Sequence, residues 1–110
     1  MIESHSFLPE AMAEYEDALV YYETCEEGLG LRLIREVDAA IALIMEFPEA
    51  RPLVRGVPAK YGLRWVLLRS FPIELVYAVG EGAVVIVAVF HAHRRPGYWR
   101  ERLKRLPREM

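Results

Sequence analysis

An α+β fold, with an N-terminal helical hairpin packed on a small antiparallel β-sheet in the order β-α-α-β-β-β, follows from three features of this 110-residue chain. Apolar residues recur at steps of three and four in two successive stretches of the first half. Strand-forming residues dominate from Leu63 to Phe90. Gly and Pro collect at the junctions between these stretches. Separate runs of helix and strand predict α+β rather than a parallel α/β sheet, and the length predicts one domain over 1–110.

Ile2 to Phe7 is a short strand candidate. Pro9 suits the first position of a helix, where its missing N–H has no partner to lose, and Glu10 sits where the helix dipole favours a negative charge. Leu8, Ala11, Met12, Tyr15, Ala18, Leu19 and Tyr22 form the apolar face, and the pattern fades at Cys25-Glu26-Glu27 before Gly28 and Gly30. A second helix runs from Leu29 or Gly30 to about Phe47. Its face is Leu33, Val37, Ala40, Ile41, Ile44 and Phe47, widened by Ile34, Leu43 and Met45, which predicts deep burial. Pro48 stops it. Pro48, Pro52, Gly56, Pro58 and Gly62 mark a loop that carries Arg51, Arg55 and Lys60.

Three strands follow. Leu63 to Phe71 alternates imperfectly. Ile73 to Val79 is rich in strand formers, and Gly80-Glu81-Gly82 reads as a tight hairpin turn. Ala83 to Phe90 is apolar on both faces, as a central strand requires. Pro96 and Gly97 then form a bend, and a short basic tail or helix begins at Tyr98.

Composition excludes several classes. The sequence is 54% hydrophobic and 27% charged, which is globular rather than disordered. The longest apolar run, Ala83 to Phe90, is far too short for a transmembrane helix. The first residues lack a basic flank and an apolar stretch, so no secretory signal is expected. The single Cys25 rules out a disulfide framework and a Cys-rich zinc site, and fits a cytoplasmic protein. No phosphate loop, dinucleotide fingerprint or nucleophile elbow occurs, and no cofactor is expected. His91 and His93 have no third ligand of suitable spacing, so no metal is expected either.

The net charge of −2 conceals a strong asymmetry: residues 1–50 sum to −10 and residues 51–110 to +8. Such polarity points to an anionic partner for the basic half. Arg94, Arg95, Arg100, Arg102, Lys104, Arg105 and Arg108 surround Tyr98 and Trp99. Guanidinium groups bind phosphate or carboxylate through paired hydrogen bonds, and aromatic rings among them stack on bases or anchor protein interfaces. The acids of the first helix read as its solvated face.

Taken together, the element order, the helix pattern Ala11…Asp17-Ala18…Tyr21-Tyr22, the stretch Leu68-Arg69-Ser70-Phe71-Pro72…Leu75-Val76-Tyr77 and the ending Val87-Ala88-Val89-Phe90-His91-Ala92-His93-Arg94-Arg95-Pro96…Tyr98-Trp99 resemble the RelE/ParE superfamily of bacterial type II toxin–antitoxin toxins. The resemblance covers nearly the whole chain, and its ending looks closer to ParE-like members. It implies a growth-inhibiting toxin of a plasmid-stabilisation type module, neutralised by a cognate antitoxin, with DNA gyrase as target and no catalysis. The alternative it implies is a RelE-like endoribonuclease that cuts mRNA on the ribosome. The binding residues it points to are Arg64, Arg69, His91, His93, Arg94, Arg95, Tyr98, Trp99 and Arg102. For the nuclease alternative the candidates are His91, His93, Arg95 and Tyr98. Where nuclease members carry basic sheet residues, this chain has Trp65, Leu67 and Glu74, and a carboxylate repels a scissile phosphate. A homodimer and a toxin–antitoxin hetero-oligomer are both compatible with the sequence.

Overall fold

A computed structural model describes residues 2–80, 82–95 and 97–106. Arg108, Glu81 of the hairpin turn and Pro96 of the bend lie outside the described residues. The element order is β1 (Ser4–Phe7), α1 (Pro9–Cys25), α2 (Leu29–Glu46), β2 (Leu63–Leu67), β3 (Ile73–Gly80) and β4 (Ala83–His91), with 3-10 turns at Ala59–Tyr61 and Arg100–Arg105.

Pro9 opens α1, as its fixed φ allows. The break between the helices is held by Glu23, whose carboxylate accepts the N–H groups of Gly28 (3.0 Å) and Gly30 (2.9 Å). Those backbone hydrogen bonds hold the Glu23 carboxyl below its ordinary range and satisfy amides at the start of α2 that have no intrahelical acceptor. A Cβ on Gly30 would lie 2.9 Å from the Glu23 Oε1, so the close approach needs glycine.

The helices bury narrower stripes than the sequence predicts. On α1 only Ala11 is fully buried, while Tyr15, Ala18, Leu19 and Tyr22 pack partly against the core. On α2 the buried line is Leu33, Val37, Ile41 and Ile44. Leu43 and Phe47 instead stay exposed, because one side of α2 faces an open groove beside β2 and not a further layer.

The sheet order is β1-β4-β3-β2. The three later strands form the expected antiparallel meander. β1 pairs parallel with β4, Phe7 opposite Ile86, so the sheet is mixed and not purely antiparallel. The α-hairpin is the long connection that lets β1 run in the same direction as the final strand. β2 ends at Leu67, short of the predicted Phe71, because the chain turns there: the Leu68 N–H donates to the Ile73 carbonyl at 2.9 Å.

One irregularity shapes the sheet's outer face, the face away from the helices. Val76 pairs with Ala88 but Tyr77 pairs with Ile86, so Val87 is an extra residue in β4, a β-bulge. Val87 and Ala88 both pack into the outer cluster with Val76, Phe90, Trp99 and Leu106. The helix-side cluster includes Leu33, Val37, Leu75, Tyr77 and Ile86. β3 and β4 are therefore covered on both faces, which accounts for their unbroken apolar sequence.

Candidate functional site

The predicted site residues divide into three groups. Arg64 lies on β2 opposite Tyr77 and donates to the Arg51 carbonyl, tying the 48–62 loop to the sheet. Arg69 is exposed and lines the groove between α2 and β2, away from the tail. His91, His93, Arg94, Arg95, Tyr98, Trp99 and Arg102 come together at the end of β4, and their surroundings differ sharply.

Trp99 is only 3% exposed and belongs to the outer apolar cluster. Tyr98 is half-buried, with its ring edge-on to Phe90 at 5.4 Å between centroids. Its hydroxyl donates to Glu14 Oε2 at 2.5 Å. Burial and that hydrogen bond push the phenol well above its ordinary range, so it stays protonated at any physiological pH. Arg102 donates to both Glu14 oxygens at 2.9 Å and to the Val87 carbonyl at 3.0 Å. The Val89 N–H donates to Glu14 Oε1 at 3.0 Å. Burial opposes ionisation of Glu14, but Arg102, Tyr98 and Val89 outweigh it and hold the carboxyl below its ordinary range. The bulged end of β4 extends past the last β1 partner at Ile86. The Glu14–Arg102 pair occupies the place of the missing neighbour strand there, satisfying one donor and one acceptor of an otherwise open edge.

The expectation that the acids of α1 form only a solvated face is therefore corrected at Glu14, and partly at Glu10, which pairs with Arg105. Glu10 and Glu14 stand four apart on α1, while Arg102 and Arg105 stand three apart on a 3-10 turn, where such residues eclipse. That matched spacing is the sequence signal that could have revealed the pairing.

At the end of β4, His91, His93, Arg94 and Arg95 are all exposed. The two imidazole rings lie 5.3 Å apart. Arg94 sits over the Tyr98 ring, 3.9 Å from its centroid, a stacking contact that orients the guanidinium. Beside this segment the outer sheet face opens into a cleft of about 490 Å³. Trp65, Glu74, Val76 and Phe90 supply its sheet side, and Arg55, Arg94 and Arg100 its basic borders. Burial alone pushes the Glu74 carboxyl up. Arg100 links loop to tail by donating to the Gly56 carbonyl at 3.2 Å, a role the sequence does not announce. Among the described residues no group of three or more His, Cys, Asp or Glu side chains is placed to hold a metal ion, and no helix is long and apolar enough to cross a membrane.

No protein-family model matches the chain, and no curated protein matches it. Among solved structures, a chain of the chromosomal ParDE TA system from P. aeruginosa is similar with a TM-score of 0.67, at 14% identity, over 82% of this chain and 96% of that one. The isolated E. coli RelE toxin is similar with a TM-score of 0.60, at 25% identity, over 94% of this chain and 97% of that one. The chain has the RelE/ParE toxin fold. The ParDE chain has the higher TM-score and the RelE toxin the higher identity and coverage, so the two comparisons do not rank one branch of the RelE/ParE fold above the other.

Proposed function

We propose that this protein is the toxin of a type II toxin–antitoxin module, a cytoplasmic growth inhibitor that binds DNA gyrase and is silenced by a cognate antitoxin. The observation that carries the toxin reading is the likeness, over most of both chains, to a structure described as a ParDE TA system and to one described as the RelE toxin. The charge polarity supports a partnership with an acidic protein, since complementary fields steer association.

Binding rather than cleavage is supported by the outer cleft. A ribonuclease that works without a metal needs positive or donor groups aimed at the phosphorane charge. Here the sheet side of the cleft presents Trp65, Val76, Phe90 and a carboxylate, Glu74. The Tyr98 hydroxyl, a nuclease candidate from the sequence, is committed to Glu14. Expression should arrest growth while translated messages, read by primer extension, stay intact.

The second reading, an mRNA endoribonuclease, is favoured by the RelE coverage and by the exposed His91–His93 pair, since imidazole is the side chain most often used for general acid–base catalysis. Codon-spaced cuts in translated message would establish it and displace the gyrase reading.

A further inference from the structure

The outer cleft, of about 490 Å³, sets one unanswered acid beside a basic border. Glu74 stands on its sheet side, opposite Leu67 of β2 and Phe90 of β4, and neither of those side chains can donate a hydrogen bond. Only burial acts on its carboxyl, which is pushed up. Arg55, Arg94 and Arg100 are exposed at the border. Among the described residues none of the three is ion-paired. A part-buried carboxylate with no donor in the fold, inside a cleft rimmed by free guanidinium groups, marks a place where a ligand supplies the missing partners.

Trp65 supplies the apolar part. It pairs with Val76, two residues along β3 from Glu74, so Trp65 and Glu74 share the outer face as diagonal neighbours. Such neighbours stand roughly 7–8 Å apart, within reach of one flat ligand. The indole is half-buried and lines the cleft, and aromatic rings in basic clefts are platforms on which bases stack. Two of the arginines are already held. Arg100 donates to the Gly56 carbonyl at 3.2 Å, and Arg94 lies on the Tyr98 ring. Cations positioned before binding lose little freedom on meeting an anion.

The ligand that fits has a flat ring with two adjacent N–H donors and an anionic group a few bonds away. Guanine carries N1–H and the N2 amine side by side, and the two oxygens of a carboxylate accept both. Hypoxanthine lacks the amine. Adenine sets a ring-nitrogen lone pair beside its amine, which a carboxylate repels. We propose that the outer cleft binds a free guanine nucleotide: Glu74 accepts from N1–H and N2–H, Trp65 stacks on the base, and Arg55, Arg94 and Arg100 hold the phosphate. This ligand is additional to gyrase, and its binding does not depend on the gyrase reading.

The test is isothermal titration of the full chain with guanosine, inosine and adenosine 5′-monophosphates. The guanine nucleotide binds saturably, and the other two bind about tenfold or more weaker, a comparison that leaves the protein untouched. E74Q loses the same factor for the guanine nucleotide and leaves the adenine nucleotide unchanged. Glu74 has no partner in the fold to lose, so this variant stays folded, which a thermal melt checks. R55A weakens the guanine nucleotide and ribose 5-phosphate alike. No saturable binding of the guanine nucleotide, equal affinity for the three nucleotides, or indifference to E74Q in folded protein would each overturn the proposal. So would tighter binding of a guanine-free oligoribonucleotide, which would make the cleft a general nucleic-acid surface.

Discussion

Glu14 and Arg102, 88 residues apart, meet in a two-pronged ion pair at the bulged end of β4, with both guanidinium nitrogens 2.9 Å from the carboxylate oxygens. The pair joins the acidic first helix to the basic tail and closes the sheet edge between them. It also fixes Tyr98, and through Tyr98 the stacked Arg94. Two ion pairs, Glu14–Arg102 and Glu10–Arg105, thus tie the acidic half of the chain to the basic half, while Arg55, Arg94, Arg95 and Arg100 stay exposed around the outer cleft and the end of β4.

Removing one partner leaves the other half-desolvated. E14Q or R102M should lower stability by about 1.5–3 kcal/mol, the range for hydrogen bonds to charged groups. The double variant should cost less than the sum of the singles. Urea unfolding of the four proteins in a double-mutant cycle measures the coupling.

The acid limb of stability carries the same signature. The folded Glu14 carboxyl is held below its ordinary value, so the stabilisation is fully present above the unfolded value of about 4.3. It is lost as pH falls through the lower folded value. Glu10 and Glu23 are lowered too and share in the wild-type slope. The difference in Tm between wild type and E14Q should therefore shrink steadily as pH falls below about 4, which isolates the Glu14 share.

Glu74 should behave in the opposite sense. Burial raises its carboxyl, with no compensating partner, so its ionised form opposes folding above the unfolded value. E74Q should raise Tm at neutral pH, and the gain should vanish in acid, where the wild-type carboxyl is already neutral. A thermal melt series from pH 3 to 8 gives the sign directly.

The Arg100 link depends on glycine. Gly97 has φ +79°, and a Cβ there would fall 2.6 Å from Arg100 Nε. G97A should cost about 1–2 kcal/mol from the left-handed backbone alone, and more from displacement of Arg100. Combining it with R100A should recover only the steric part, read from the same urea curves.

Local sequence chemistry revealed most of the fold. Pro9, Pro48 and the glycines after Cys25 bounded the helices to within a residue or two, and Ala83 to Phe90 declared itself a central strand, which runs one residue further to His91. Parallel pairing of β1 was not legible, because a four-residue strand says nothing about which distant edge it meets. The bulge at Val87 was hidden inside a run apolar on both faces, where no alternation breaks. The cluster at the end of β4 was visible as composition, but not its division into buried and open members. Trp99 and Arg102 face inward because of partners, Leu106 and Glu14, that lie close only in three dimensions.

The proposed gyrase binding would run through the exposed His91–Arg95 segment and leave RNA uncut. DNA supercoiling by purified gyrase, titrated with wild-type chain and with an R94E/R95E variant that melts like wild type, tests it most directly. Wild type should inhibit in a dose-dependent way, and the variant should lose about tenfold or more in potency. Undiminished supercoiling at saturating wild-type chain would contradict it, as would equal potency of the two proteins.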